Sequence, residues 1–254
     1  MKTELDRLGA RASLLMMGWL SVVLWLDRAG GDGSLWLQRG LGALTWVVLL
    51  VALWRVSPMV RAQTAVVVAF ATLVEYTFSA GLEVYTYRFD NVPAYVPPGH
   101  GLVYLSAFAL GHAAFVSRRL RVAELLVLAA GGAWAAHGLF LADRPDALGA
   151  FWFVCLAGFL AWGPSKHVYV GAFVVVSWLE LLGTGLGTWV WGTHDFTGWV
   201  SIGNPPSGAA GGYGWFDLAG LLLAPYVVSV AGRLTRPRRA PGSARPEPED
   251  AAAH

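Results

Sequence analysis

Two glutamates interrupt apolar runs of this chain. Glu75 stands in Ala-Thr-Leu-Val-Glu-Tyr-Thr-Phe and Glu180 in Val-Val-Val-Ser-Trp-Leu-Glu-Leu-Leu. An acid at the centre of a membrane span costs about 2.5–3.5 kcal/mol on insertion scales, so such residues are rare and face a bundle interior or a cavity. A carboxyl in apolar surroundings can hold a proton near neutral pH and deliver it to a substrate. We interpret both glutamates as candidate catalytic acids, with structural hydrogen bonding between helices as the alternative.

Three further ionisable residues lie near the same predicted membrane surface. His100 stands in Pro-Pro-Gly-His-Gly, Asp217 begins the last apolar segment, and Glu83 ends the third. His100 and Asp217 are candidate catalytic bases, and Glu83 is a candidate substrate contact, with a structural role as the alternative for both acids. His112 and His137 lie within apolar segments, where a histidine satisfied by a neighbour is commoner than a haem or metal ligand. We therefore predict neither a metal nor a cofactor.

A pattern of aromatic, proline and glycine residues occurs twice beside these groups. Each copy reads Gly-x3-aromatic-x-aromatic, then Pro-Pro, then Tyr-x6-Gly, and the copies begin at Gly81 and Gly185. Proline makes the chain turn, and glycine lets the backbone approach a neighbouring segment or a ligand closely. The two loops are therefore predicted to form the walls of a shared site. An aromatic belt at the membrane surface is the alternative for the rings. The candidate substrate-binding residues of the two loops are Tyr85, Tyr87, Trp189, Trp191, Asn204 and Tyr213.

The elements that position these residues are predicted to be transmembrane helices. Hydrophobic residues make up 56% of the chain and charged residues 13%, whereas soluble domains carry about 25% charged residues. The apolar segments have roughly the length that crosses about 30 Å of hydrocarbon, and they predict an all-α, polytopic bundle of about eight spans, with seven as the alternative. The predicted spans are 13–27, 41–55, 62–82, 101–117, 122–141, 149–164, 168–191 and 213–232.

The distribution of basic residues predicts the orientation. Most of the 18 Lys and Arg residues fall in segments that share one side when both termini are cytoplasmic, which is the expected bias. We therefore predict a multi-pass protein of the cell membrane. Its single transmembrane domain covers 1–232, followed by a disordered, Pro- and Arg-rich cytoplasmic tail at 233–254.

The two loop patterns also predict an internal repeat. They are separated by four spans, and an even number of spans preserves direction, so repeats at 13–117 and 122–232 would be parallel. Chance resemblance between two Gly- and Pro-rich loops is the alternative.

Several functional classes are excluded by composition. The chain has one cysteine, Cys155, which rules out an intramolecular disulfide. The formal charge of +2 arises from arginines that flank the spans, so no nucleic-acid partner is predicted. Metalloprotease, nucleophile-elbow and Walker motifs are absent from the sequence. The predicted partners are membrane lipid and an apolar small molecule.

Part of the chain resembles the membrane carotenoid biosynthesis family that includes the bisanhydrobacterioruberin hydratases. The similar elements are an acidic helix followed by Tyr85-Thr-Tyr87, Val92-Pro93 in the first outer loop, and Trp189-Val-Trp191 followed by Asn204-Pro205 in the second. The resemblance implies acid chemistry on the double bond of an isoprenoid.

Three functional classes remain open from the sequence. The first is a membrane enzyme that protonates an alkene or activates water on a long apolar substrate, and aromatic rings would stabilise a carbocation there. The second is a proton-coupled carrier, and the third is a non-catalytic scaffold. The segments that face the cytoplasm read as almost entirely Val, Leu and Ala. A carrier needs polar residues there, so this pattern favours the enzyme.

Overall fold

The computed structural model describes residues 4–234, which are mostly helical. Residues 235–254 of the predicted tail lie outside the described part of the chain, whereas 233 and 234 belong to the last helix. The helices are α1 (Glu4–Leu26), α2 (Leu35–Trp54), α3 (Pro58–Glu75), α4 (Val96–Gly111), α5 (Ala114–Ser117), α6 (Leu120–Phe140), α7 (Ala147–Trp162), α8 (Lys166–Gly185) and α9 (Ala209–Leu234). A π-helical turn, Tyr76–Gly81, extends α3.

The helices fit a multi-pass membrane protein. Among the described residues, six helices are long and apolar enough to cross a membrane, namely α1, α2, α3 with its π-helical turn, α6, α8 and α9. Helix α7 is apolar but has only 16 residues. Helix α4 also has 16 residues, and most of them are buried because α4 runs through the middle of the bundle.

Two short strands form at the aromatic pairs, the first in a predicted loop and the second at the end of a predicted span. Strands β1 (Tyr85–Tyr87) and β2 (Trp189–Trp191) pair in antiparallel fashion, so the prediction of an all-α protein is wrong at these residues. The seventh predicted span ends at Gly185 rather than at residue 191, and Gly187 then adopts a φ of 65° that favours glycine. Alternating aromatic residues suit a strand, because their rings then share one face. The pairing confirms that the two outer loops meet.

The first proline pair is placed differently from the prediction. The chain was expected to turn at Pro97 and Pro98, but both lie in the first turn of α4. Proline is tolerated there because the first N–H groups of a helix have no partner within it. The second pair, Pro205 and Pro206, precedes α9.

Four helices form the centre of the bundle. Helix α3 packs along α9 and α4 packs along α8, while α1 lies against α4 and α7 against α9. Glycines permit the closest approaches. A Cβ atom at Gly171 would collide with the carbonyl of Ala107, and one at Gly111 with the carbonyl of His167, so α4 and α8 touch through their backbones.

The end of the bundle opposite the strands is less apolar than predicted. Gln63 and Thr64 near the start of α3, Glu124 on α6 and Tyr169 near the start of α8 are all buried. The expectation of almost pure Val, Leu and Ala in this half is therefore wrong. Gln63 and Thr64 are neighbours at the edge of a predicted span, and Glu124 and Tyr169 each lie near the start of another. Polar residues at the end of a span are common, so the sequence gives no signal that these are buried.

Candidate active site

The first carboxyl of the site belongs to Glu75, the last residue of α3. Its Oε2 atom accepts hydrogen bonds from the hydroxyls of Tyr85 and Tyr87, each at 2.9 Å. Both rings reach one carboxyl because residues 85 and 87 lie on the same face of β1. Burial and then the charge of Glu75 raise the pKa of both hydroxyls, which therefore stay protonated and act as donors.

His100 binds the other oxygen of Glu75. Its Nε2 atom lies 2.8 Å from Oε1 of the glutamate, and the side chain is 5% exposed. Its Nδ1 atom is buried and has no hydrogen-bond partner. When Nε2 carries the proton and donates it in a hydrogen bond to the glutamate, a neutral imidazole ring has its lone pair on Nδ1. Glu75 thus holds His100 as a base whose accepting nitrogen is unoccupied.

The second carboxyl belongs to Glu180 on α8, which is 2% exposed. The indole N–H groups of Trp189 and Trp191 donate to its Oε2 atom at 3.1 and 3.0 Å. Its Oε1 atom has only a long contact of 3.5 Å with the hydroxyl of Tyr213. Because both indoles bind Oε2, Oε1 is the oxygen left to hold or release a proton.

The paired strands bring the two carboxyl sites together. Tyr85 lies opposite Trp191, and Tyr87 opposite Trp189. The ring centroids of the first pair are 4.5 Å apart and those of the second 6.1 Å. All four rings are buried, so they do not form a belt at the membrane surface. They instead form a wall between the two acids.

A single cavity of about 380 Å³ contains Glu75, His100, Glu180 and Tyr213 in its lining. The four strand rings and a largely apolar surface complete the wall. The apolar residues include Leu20, Val103, Leu148, Trp152, Leu179 and Phe216. The partly exposed Asp195 also lines the cavity. The cavity therefore places two buried carboxyls and an imidazole against space that suits a hydrocarbon.

Three residues predicted for the site do not line this cavity. Asp217 is buried deeper on α9. Glu83 is exposed and has a φ of 51° in the turn before β1. Asn204 is exposed, and its Oδ1 atom accepts a hydrogen bond of 3.1 Å from the backbone N–H of Trp191. Asn204 thus supports the position of β2.

Two acids that were not predicted for the site, Asp27 and Asp146, bind the loops that contain the strands or precede α9. Asp27 accepts hydrogen bonds from the hydroxyl of Tyr95 at 2.6 Å and from Gln38 at 2.8 Å. Burial raises the pKa of Asp27, although these two donors oppose the shift. Asp146 accepts from the backbone and hydroxyl of Ser207 at 2.6 and 2.7 Å. Asp146 also caps α7, which is the signal in the sequence that identifies it.

The cavity also contains aromatic residues that were not predicted for the site, among them Phe216 and Trp152. The ring of Phe216 lies 5.6 Å from that of His100, and the ring of Trp152 lies 5.7 Å from that of Trp191. Both residues read as ordinary apolar positions of a span, so the sequence carries no signal for them.

The site offers acid and base groups from protein side chains. An imidazole with a free lone pair can accept a proton, and a carboxyl with one weakly bound oxygen can donate one. Within residues 4–234, no three His, Cys, Asp or Glu side chains are grouped so that they could hold a metal ion. His112 instead stacks on His167, with centroids 4.7 Å apart, and His137 is exposed. No protein-family model, curated protein or solved structure matches this chain.

Proposed function

We propose that this chain is a membrane-embedded enzyme that performs acid–base chemistry on a long apolar substrate of the isoprenoid or carotenoid type. The observation that carries the proposal is the presence of two buried carboxyls, those of Glu75 and Glu180, and an imidazole in the lining of one largely apolar cavity. Buried ionisable groups are costly in such surroundings, and their convergence on a cavity is typical of functional sites.

The cavity favours the neutral end of a long chain. Its volume of about 380 Å³ is at the low end of the roughly 300–1,000 Å³ that ligand sites occupy. The described lining includes no Lys or Arg that could neutralise a phosphate. Phe70, Phe78 and Trp215 line the cavity and are also exposed on the outside of the bundle. The remainder of the substrate can therefore extend into lipid.

In the proposed reaction Glu180 is the acid and His100 is the base. The Oε1 proton of Glu180 moves to one carbon of a double bond, and the neighbouring carbon becomes cationic. Water adds to that carbon and loses a proton to Nδ1 of His100, while Glu75 holds the ring through Nε2. The proton then returns from His100 to Glu180, so each turnover adds one water to one double bond.

The same groups can produce an isomerisation or cyclisation. In that case His100 removes a proton from carbon next to the cation, a new double bond forms, and no water is consumed. The faces of Tyr85, Trp152 and Trp191 lie along the cavity and can stabilise the cation by cation–π attraction.

We further infer eight spans in the cell membrane with both termini cytoplasmic. Helices α4 and α7 are the two shorter spans of this arrangement. The excess of Lys and Arg on one side supports the orientation. Two parallel four-helix repeats are supported by the equivalent order of acid, strand and helix around Glu75 and Glu180, and by the reciprocal packing of α3 with α9 and of α4 with α8.

Comparison of lipid and pigment extracts from cells with and without the gene tests the proposal. We expect a compound to accumulate without the gene that differs from the product by one water or by isomerisation. Glu180→Gln should cause the same accumulation. Glu124→Gln is the matched control, because Glu124 is also buried but does not line the cavity. Its carboxyl instead binds Lys166 at a distance of 3.3 Å. Full conversion by both Glu75→Gln and Glu180→Gln would refute the proposed chemistry.

A proton-coupled carrier is the second candidate function. It is favoured by the buried polar residues that continue beyond the cavity towards the opposite face, including Gln63, Tyr104 and Tyr169. A carrier changes the location of a compound and leaves its mass and structure unchanged. Mass spectrometry and chromatography of the two extracts therefore distinguish the carrier from the enzyme.

A further inference from the structure

A second group of polar side chains lies one helical turn deeper than the cavity. Asp217 follows Tyr213 by four residues on α9, and Tyr104 follows His100 by four residues on α4. Residues four apart share a helix face, so each lies directly beyond a cavity residue. Neither Asp217 nor Tyr104 lines the cavity itself. The group is therefore separate from the candidate active site.

Two polar atoms of this group have no hydrogen-bond partner among the described residues. The Oδ2 atom of Asp217 is buried without a hydrogen bond, and so is the hydroxyl of Tyr169. The Asp217 carboxyl interacts electrostatically with the hydroxyls of both Tyr104 and Tyr169. Tyr169 is 0% exposed, and its ring stacks on Phe159 with centroids 5.1 Å apart. Two buried polar groups that interact electrostatically and lack hydrogen-bond partners indicate a site for a bound water.

The neighbouring helices supply no counter-charge to Asp217. Helix α9 packs against α3, α7 and α8, and α7 contains no charged residue. Arg61 on α3 donates to backbone carbonyls of the α2 end. Lys166 on α8 binds Glu124, and His167 stacks on His112. The other acids on α3 and α8 are Glu75 and Glu180, which belong to the cavity.

The group extends towards the membrane face opposite the cavity. Tyr169 is close to the first residue of α8, Lys166, and Gln63 is close to the first residue of α3, Pro58. The hydroxyl of Tyr104 donates to Oε1 of Gln63 at 2.9 Å. Polar residues thus lie between the level of Asp217 and the helix ends on that face.

We propose that Asp217, Tyr169 and Tyr104 form a proton-holding site that exchanges protons with the face opposite the cavity through a water bound between Asp217 and Tyr169. A buried carboxyl without a counter-charge is stable only when it is neutral or solvated. The proton arrives from that face, binds Oδ2 of Asp217 and leaves by the same route, so no other reactant is needed. The site does not depend on the chemistry in the cavity and would serve an enzyme or a carrier.

Modification by dicyclohexylcarbodiimide tests this site without any assay of activity. The reagent enters membranes and attacks protonated carboxyls in apolar surroundings, and peptide mass mapping locates the adduct. The full-length protein is used in right-side-out and inside-out membrane vesicles, with the pH of each compartment set separately. We expect modification of Asp217 to fall about tenfold per pH unit once the carboxyl ionises. The fall should follow the pH on the side where α8 begins.

Three variants make the result specific. Asp217→Asn should remove the adduct from its peptide, and Glu124→Gln should leave the Asp217 adduct unchanged. Tyr169→Phe keeps the ring and removes the hydroxyl, so the response to pH on that face should weaken several-fold in a protein that remains folded. The proposal is wrong if Asp217 is unmodified at every pH. It is equally wrong if its modification follows the pH on the cavity side or is unaffected by Tyr169→Phe.

Discussion

The two carboxyls of the cavity are held by the same backbone arrangement but by different side-chain chemistry. In both regions the acid accepts hydrogen bonds from the two aromatic residues of the strand that follows it. Glu75 receives two phenol hydroxyls, whereas Glu180 receives two indole N–H groups. Glu75 also binds His100, whereas no described basic residue binds Glu180. The two acids thus occupy similar positions relative to a strand but have different hydrogen-bond donors.

The difference teaches how one cavity can contain both an acid and a base. Three groups bind Glu75, namely the hydroxyls of Tyr85 and Tyr87 and the imidazole of His100, so Glu75 orients the imidazole. An indole N–H can only donate, so a proton on Glu180 must sit on Oε1, where Tyr213 is the one nearby partner. In the proposed reaction Glu75 is therefore a positioning residue, and Glu180 is the proton donor.

The largest expected effect is on turnover. Glu180→Gln keeps the size of the side chain and an acceptor oxygen but removes the transferable proton, so kcat should fall by about 10²–10⁴-fold. Glu180→Asp retains a carboxyl and should recover part of the activity. The measurement is conversion of the accumulated compound by membranes that contain equal amounts of folded protein. Activity of Glu180→Gln within about twofold of the wild type would show that the two acids are assigned incorrectly.

The next effect is a difference in thermal stability between variants of the two acids. Glu75→Ala leaves two hydroxyls and the Nε2 of His100 without a partner, whereas Glu180→Ala leaves two indole groups. Each unsatisfied buried group costs about 1–3 kcal/mol, so Glu75→Ala should lower the unfolding temperature more. Thermal unfolding in detergent measures both variants. The reverse order would mean that Glu180, not Glu75, is the main structural anchor of the strands.

A smaller effect tests the hydrogen bond between Tyr87 and Glu75. Tyr87→Phe removes one hydroxyl and should reduce the free energy of unfolding by about 0.5–3 kcal/mol. In a Glu75→Ala background the acceptor is absent, and the same change should cost less than about 0.5 kcal/mol. Equal costs in the two backgrounds would show that the Tyr87 hydroxyl does not depend on Glu75. The double-mutant cycle is read from denaturant unfolding.

The smallest effect concerns residues outside the cavity. Asn204→Ala removes the acceptor for the backbone N–H of Trp191 and should destabilise the protein by about 0.5–1.5 kcal/mol. Glu83→Gln is the control in the other outer loop, and its stability should stay within about 0.5 kcal/mol of the wild type. Turnover should change little in either variant. A large loss of turnover in Glu83→Gln would show that Glu83 contributes to the site, as the sequence predicted.

The helical architecture was predictable because a long apolar segment can adopt few structures other than a helix in a membrane. A span must satisfy its own backbone hydrogen bonds, and the helix does so locally. The strands were not predicted. A pair of three-residue strands is stabilised by contacts between loops more than 100 residues apart in the sequence, and no local pattern encodes such a pairing. The prediction that the two loops meet and line one site was nevertheless confirmed by the strand pairing and the cavity lining.

The candidate site was predictable where a residue type is costly in its surroundings. Glu75 and Glu180 stand out because acids are rare in apolar runs, and the aromatic pairs because they recur. The same reasoning grouped Asp217 with the cavity, although Asp217 lies a turn deeper. Depth along a helix is readable from sequence only to within a few residues, since helix ends are the least certain feature.

The sequence by itself determined that the chain is helical and apolar, that two acids must face the interior, and that aromatic residues follow each acid. Those conclusions depend on solvation energies and local periodicity, which belong to each residue and its neighbours. Only the tertiary structure decided that phenols bind one acid and indoles the other, and that His100 joins Glu75. Hydrogen bonds between distant residues require a geometry within tenths of an ångström, and this geometry exists only after the helices have packed.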